Sequence, residues 1–186
     1  DGTTEARWNK PIRLAPFGPG KILIADISNH AIRSVSLDGE VRTIAGGPEK
    51  QGHKDGPATE AGFDSPHGVA VSPDGVIVVA DAASHTIRLI TSTGDGHVVT
   101  TLAGVPGQSG MQDGRADEAL FNSPHGVLWD NEGGVLVVDI GNAAIRLVKD
   151  GMVTTVGNAA TSKMVMPIDM MPAEDGSYLI ADAGIQ

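Results

Sequence analysis

The 186-residue sequence contains no cysteine. Disulfides, thiolate nucleophiles and cysteine-ligated metal sites are therefore excluded, although the compartment is not, because oxidising compartments also hold cysteine-free proteins. Aromatic residues make up only 3% of the chain while hydrophobic residues reach 40%, so a core must be built from aliphatic side chains. No apolar run is as long as a membrane span, and no basic-then-apolar leader opens the sequence. We therefore expect a soluble segment with no membrane partner and of undetermined localisation.

Basic residues are also scarce. Thirteen lysines and arginines are set against 23 aspartates and glutamates, which gives a formal net charge of −10. A nucleic-acid-binding protein normally carries a basic stripe or patch, whereas the basic residues here are scattered along the chain. The composition therefore disfavours nucleic acid as a partner.

Turn-forming residues and an internal repeat are what the sequence has in abundance. It contains 25 glycines and 11 prolines. The stretch VIVVADAASHTIRLI at 76–90 recurs as ILIADISNHAIRSV at 22–35, as LVVDIGNAAIRLV at 136–148 and, shortened, as YLIADAGIQ at 178–186. Each copy predicts two short strands joined by a polar turn. A further strand precedes each copy and another follows each of the first three, and four short antiparallel strands in about 40–45 residues are typical of a β-propeller blade.

The repeated letters resemble a known family. The pattern P-x-G-[VI]-[AL], then D-G, then [VI]-x-[VI]-A-D, then [NS]-H-x-[IV]-R is similar to the NHL repeat. The resemblance implies an all-β fold in which residues 1–186 form one propeller segment. Its four-stranded antiparallel blades would lie at 11–47, 66–104 and 124–157, with part of a fourth at 167–186. NHL propellers usually close with about six blades, so the chain is expected to form an incomplete ring. The polar inserts at 47–65 and 105–123 resemble those of NHL proteins fused to other domains.

An aspartate and an arginine flank each hairpin turn at a separation of seven residues. The pairs are Asp26 and Arg33, Asp81 and Arg88, and Asp139 and Arg146. A carboxylate beside a guanidinium suggests acid–base chemistry. One catalytic site is not built three times, however, whereas a salt bridge that staples a turn is needed in every blade. We therefore interpret the three pairs as structural.

Two histidines are the candidate metal ligands. His67 and His125 both lie in an S-P-H-G motif at the start of the first strand of a unit, the strand that lines the channel of a propeller. Two neutral imidazoles at matching heights begin a metal site, and the channel zinc of peptidyl-hydroxyglycine lyases, which have NHL-like repeats, is held by histidines in similar Pro-His settings. The equivalent positions in the other units are Ile12 and Ile168, and Asp169 is a third ligand only if it shifts by one residue.

Two functions of different classes follow. The first is a non-catalytic scaffold or protein-interaction module that binds a protein or peptide partner through its loops. No cofactor is expected for it, and its other partners would be the remaining blades or fused domains. The alternative is a lyase-like or lactonase-like enzyme with zinc or calcium held by His67 and His125 in the central channel. The enzyme needs at least three convergent metal ligands, so the sequence favours the non-catalytic module.

Overall fold

The computed structural model describes residue 2 and residues 6–184, so residues 185–186 of the fourth predicted blade lie outside the described residues. The strands form four antiparallel sheets. The first sheet consists of β1 (Pro11–Pro16), β2 (Lys21–Asp26), β3 (Ala31–Ser36) and β4 (Val41–Gly46). The second consists of β5 (Gly56–Pro57), β6 (Pro66–Val71), β7 (Ile77–Asp81), β8 (Thr86–Thr93) and β9 (Gly96–Ala103).

The third and fourth sheets repeat this order. The third consists of β10 (Gly114–Arg115), β11 (Pro124–Trp129), β12 (Val135–Asp139), β13 (Ala144–Lys149) and β14 (Met152–Asn158). A single-turn helix, α1 (Ala159–Ser162), leads to the fourth sheet, which consists of β15 (Pro167–Pro172) and β16 (Tyr178–Asp182). The all-β prediction is thereby confirmed. Among the described residues, no helix has the length and apolar character needed to cross a membrane.

The repeated stretches form the hairpins at the centre of the sheets. In the third sheet, β12 ends at Asp139, and a 3₁₀ turn over Ile140–Asn142 returns the chain into β13. The turn closes at Ala143, which has a left-handed φ of 47°. His30 and His85 close the turns of the first two sheets with φ values of 49° and 58°. A left-handed residue is what lets so short a connection reverse the chain.

Two sheets contain one strand more than the sequence predicts. The inserts contribute the two-residue strands β5 and β10, which pair with the outer strands β9 and β14. In β5, Gly56 pairs with Val99 and Pro57 with Val98. The equivalent strand β10 is equally short, with Gly114 paired to Val153 and Arg115 to Met152. Such a strand carries no alternation of polar and apolar residues, so the sequence does not signal it.

Consecutive sheets pack face to face, and the hydrophobic core lies between them. Between the first two sheets, Leu23 and Ile32 pack with Ile77 and Val99 around the fully buried Phe63. An equivalent cluster around Phe121 joins the second and third sheets. The cluster between the third and fourth sheets is smaller and contains no phenylalanine. The first strand of each sheet faces a common channel of about 320 Å³.

Candidate functional site

The channel walls consist of apolar residues and glycine, apart from the charged side chains of Arg13 and Asp169. Strands β1, β6, β11 and β15 each contribute a stretch of wall, for example Leu14, Val69, Val127 and Met170. A concave apolar space with few polar groups is the usual form of a small-molecule site. The channel is therefore a candidate site, and the sequence-predicted His67 and His125 lie on its strands β6 and β11 but are not among the residues that line the space.

The structure brings His67 and His125 together as a stacked pair. Their ring centroids are 4.0 Å apart and the ring planes differ by 15°. The Nδ1 atom of His67 lies 2.9 Å from the carbonyl oxygen of Ser65. Because a carbonyl only accepts, this Nδ1 carries the proton and the Nε2 of His67 is the unprotonated nitrogen.

Both imidazoles are neutral near pH 7. Burial lowers the pKa of His67, and the charge of Arg13 adds to the effect. Burial also lowers the pKa of His125 to about 4, with further contributions from His67 and Arg13. A neutral imidazole is the form that ligates metals, so the protonation state alone would permit a metal site.

The geometry offers less support for a metal. The lone pairs of an imidazole lie in the ring plane, so two nearly parallel rings direct them side by side rather than toward one point. Asp169, the third ligand considered from the sequence, is hydrogen-bonded to Arg13 instead. Within residues 6–184 and residue 2, no group of three or more histidine, cysteine, aspartate or glutamate side chains is arranged to hold a metal ion. Among the described residues, the zinc or calcium of the enzyme hypothesis therefore has two candidate ligands, His67 and His125.

Arg13 and Asp169 form an ion pair that links the first and fourth sheets across the channel. Arg13 also donates from Nη2 to the carbonyl oxygen of Ile168, at 2.5 Å. In the two middle sheets the equivalent positions are Gly68 and Gly126. A Cβ atom on Gly126 would lie 3.1 Å from the Asp169 carboxylate, so glycine there leaves room for the ion pair.

Arg13 was not predicted from the sequence as a channel residue. The aligned motifs of the four units contain a hint of it. They read P-I-R, P-H-G, P-H-G and P-I-D in chain order, so the first and last units carry opposite charges where the two middle units have glycine. Their meeting depends on the curvature with which four sheets follow one another, which no local pattern encodes.

The structure also brings each repeated Asp–Arg pair together. The nearest nitrogen–oxygen distances are 3.2 Å for Arg33 and Asp26, 3.3 Å for Arg88 and Asp81, and 2.9 Å for Arg146 and Asp139. The three aspartates are completely buried. Each also accepts a backbone N–H from the residue seventeen positions earlier, at 2.7–2.8 Å. The aspartate therefore ties the entry of the first strand to the end of the second.

Two of the arginines have a second carboxylate partner, which the sequence analysis missed. Arg88 donates to Asp55 at 2.5 Å and to the carbonyl oxygens of Lys54 and Gly62. Asp55 in turn accepts the N–H of Thr101 on the outer strand. Every one of these insert residues is thereby fastened to the core through one guanidinium.

The third sheet repeats this arrangement. Arg146 donates to Asp113 at 2.6 Å and to the carbonyl oxygens of Gln112 and Leu120, while Asp113 accepts the N–H of Thr155. Each insert carries its aspartate in an Asp-Gly pair, which was the available signal. Arg88 and Arg146 are fully buried and lie over the rings of two further buried residues, at 5.3 Å and 5.0 Å from the centroids of Phe63 and Phe121.

Burial dominates the electrostatics of these networks. It raises the pKa of Asp81 to about 7, although the charge of Arg88 and hydrogen bonds oppose the rise. Burial raises the pKa of Asp139 in the same way. Asp113 is far more exposed, so hydrogen bonds from Thr155 and Arg146 outweigh desolvation and lower its pKa. The aspartate–arginine pairs repeat in three sheets and lie inside them, whereas the charged side chains among those that line the channel are Arg13 and Asp169.

The fixed inserts nevertheless present exposed side chains. In the first insert these are Gln51, His53 and Lys54, and in the second Gln108 and Met111. Met111 is 50% exposed although it is apolar. The two inserts therefore combine a backbone anchored by buried arginine with exposed side chains, of which Gln51 and Lys54 are hydrogen-bonded to Asp64 and Glu60.

Sequence comparisons match the chain to proteins that contain the NHL repeat. The family model described as "NHL repeat" matches residues 63–88. "NHL repeat-containing protein 2" from Bos taurus is 36% identical over 115 residues, which cover 61% of this chain and 15% of the relative. The chain thus spans only about a seventh of the length of the curated relative that it matches.

Solved structures resemble the chain in fold. An auxiliary nutrient binding protein from Bacteroides ovatus superposes with a TM-score of 0.72 at 15% identity, over 95% of this chain and 46% of that one. A catalytically inactive virginiamycin B lyase from Staphylococcus aureus gives a TM-score of 0.66 at 15% identity, over 96% of this chain and 50% of that one. Both are β-propellers, which confirms the predicted fold class. At this identity the likeness concerns the fold alone.

Proposed function

Because the chain belongs to the NHL-repeat family and folds into propeller blades, we propose that it is a non-catalytic protein-interaction scaffold. Its binding surface is formed by the two polar inserts, residues 47–65 and 105–123. The partner is a protein or peptide that contacts the exposed side chains of both inserts.

One observation carries this proposal: a fully buried arginine fixes each insert. Arg88 holds Asp55 and two insert carbonyls, and Arg146 does the same with Asp113 and its neighbours. A loop held in one conformation before binding loses little further conformational entropy when a partner docks. Loops placed on a rigid framework are also where binding residues concentrate. The arrangement therefore suits recognition and requires no special chemistry.

The neutral stack of His67 and His125 favours a second candidate, the channel metal enzyme. Metal analysis of the purified protein, alongside a variant with His67→Ala and His125→Ala, separates the two. The scaffold predicts no stoichiometric zinc or calcium in either protein. One bound ion per chain that is lost in the variant would favour the enzyme and contradict the scaffold.

Photocrosslinking tests the scaffold directly. A photoreactive amino acid replaces Met111 in the second insert, and in a control protein it replaces Leu37, which is 92% exposed in the turn between β3 and β4. We expect discrete adducts from position 111 that an excess of unlabelled protein competes away, and none from position 37. Adducts that are identical at both positions, or absent from the insert, would refute the insert surface.

A further inference from the structure

Trp129 departs from the repeated pattern at a position where the fold does not require it. It is the last residue of β11, and the last residues of the other first strands are Pro16, Val71 and Pro172. The half-buried indole packs against the hydrophobic cluster between the second and third sheets. Its Nε1 is buried and has no hydrogen-bond partner among the described residues, and a buried donor without a partner costs stability. Proline or valine avoids this cost, so the architecture of the sheet does not explain the tryptophan.

A pocket of about 600 Å³ lies beside Trp129, between the β6–β7 turn and the β11–β12 turn. At the junction of the first and second sheets, Phe17 follows the end of β1 and packs with Val71 against the core. The residue that follows the end of β6 is Ser72, whose hydroxyl accepts the N–H of Val76 within its own turn. A serine in place of a phenylalanine therefore leaves space between the second and third sheets. Both of these sheets contain all four strands of a blade.

The pocket combines apolar walls with negative charge. Apolar side chains from β6 and β11 line it together with Trp129, and the charged residues among those that line it are Asp74 and Asp130. Lys149, on the strand next to β12, forms an ion pair with Glu132 at 2.8 Å. A space of this size with apolar walls and few polar groups is the usual form of a small-molecule site. Aromatic rings and carboxylates both attract positive charge, so the pocket favours an organic cation over an anion.

We propose that this pocket binds an organic ammonium compound, whose ammonium group is attracted by Trp129 and by the carboxylates of Asp74 and Asp130. An indole attracts cations more strongly than the other aromatic side chains do, and the apolar walls take the hydrocarbon part of the ligand. The pocket lies beyond the ends of β6 and β11, whereas the inserts precede the beginnings of these strands. The site is therefore separate from the insert surface and does not rest on the scaffold function.

Nuclear magnetic resonance tests this site directly, because the chain has two tryptophans, Trp8 and Trp129. The indole N–H of each gives one resonance, and the Trp129→Phe variant identifies which is which. Choline is the probe, and its control is the uncharged alcohol in which carbon replaces the nitrogen. We expect choline to shift the Trp129 resonance saturably and to leave the Trp8 resonance unchanged. The uncharged alcohol should bind about tenfold more weakly, since it has the shape of choline without the charge.

Variants locate the site, with choline binding followed at the backbone amide resonances of residues 131–133. Trp129→Leu should weaken binding about tenfold, whereas Trp129→Phe keeps an aromatic ring and should stay within about threefold of the wild type. Asp74→Asn and Asp130→Asn should each weaken binding about threefold, because an attractive charge at a partly exposed site is lost. Asp95→Asn is the matched control, because Asp95 is an exposed carboxylate in the β8–β9 turn that does not line the pocket, and it should leave binding unchanged.

A peptide that contains trimethyl-lysine distinguishes two sources of the ammonium group. Tighter binding of the peptide than of choline would assign the group to a protein side chain, and tighter binding of choline would assign it to a free small molecule; both results support the site. Equal binding of the uncharged alcohol, equal shifts at Trp8 and Trp129, no saturable binding, or unaltered binding to Trp129→Leu would overturn the proposal. None of these results changes the crosslinking expected from Met111, so this proposal and the scaffold function fail separately.

Discussion

Replacing Arg88 with methionine should be among the most destabilising single changes in the second sheet. The guanidinium donates four hydrogen bonds: to Asp81 at 3.3 Å, to Asp55 at 2.5 Å and to the carbonyl oxygens of Gly62 and Lys54. Methionine keeps much of the aliphatic volume of the side chain and removes all four donors. The change therefore tests the hydrogen-bonding network rather than the packing.

The magnitude follows from what is left behind. Removing one partner of a buried ion pair costs about 3–5 kcal/mol, because an uncompensated charge stays buried. Asp81 is completely buried, and its pKa is already raised to about 7. Without Arg88 the carboxyl takes up a proton at neutral pH, which limits the penalty. We therefore expect a loss of about 3 kcal/mol in the free energy of unfolding at pH 7.

The pH dependence sharpens the prediction. A carboxyl whose pKa is raised in the folded state stabilises that state at low pH, and this contribution is lost as the pH rises through the folded pKa. In Arg88→Met the pKa of Asp81 rises further, so the deficit relative to the wild type should be larger at about pH 8.5 than at about pH 5.

Urea unfolding followed by circular dichroism at both pH values measures this deficit. Arg115→Met is the matched control, because Arg115 is 65% exposed and pairs only with exposed carboxylates, so it should change stability by less than about 1 kcal/mol. An Arg88→Met protein within about 1 kcal/mol of the wild type, or a deficit that shrinks as the pH rises, would refute the assignment of Arg88 as the central structural cation.

Three further outcomes are expected. The wild type should lose stability as the pH falls from about 6.5 to about 4, because a histidine with a depressed pKa stabilises the fold above the unfolded-state pKa and this stabilisation disappears when the ring is protonated. The His125→Asn variant should lose about 1–2 kcal/mol less over that range in urea unfolding, a value that allows for the partial exposure of the ring. Gly46→Ala should lower the free energy of unfolding, measured in urea, by about 2–4 kcal/mol, since the φ of Gly46 is 79° and a Cβ there would lie 2.2 Å from the His30 carbonyl oxygen. Gly94→Ala is the control and should be neutral, because nothing lies within 4 Å of the Cβ position. Phe121→Ala should cost about 3–5 kcal/mol in the same assay, since the ring is fully buried between sheets.

The hairpins and their Asp–Arg pairs were predictable from sequence because both are local. Asp81 and Arg88 flank a single turn, and the alternation of residues 76–90 fixes which side chains share a face. Asp55 was not predicted as the second partner of Arg88, because 33 residues separate them and the insert between them has no periodic pattern. The stacking of His67 on His125 could not be predicted from the sequence either, since it depends on how closely two neighbouring sheets approach each other.

Deviations between the copies carry more functional information than the repeated residues. An arginine that recurs beside an aspartate, as Arg88 does beside Asp81, is explained by the fold. Arg13 and Asp169 depart from the repeated pattern, because they stand where the two middle sheets have glycine and so place opposite charges in the channel wall. In a repeat fold the bonds made in every copy account for stability, and the positions at which one copy departs from the others are where binding specificity has room to arise.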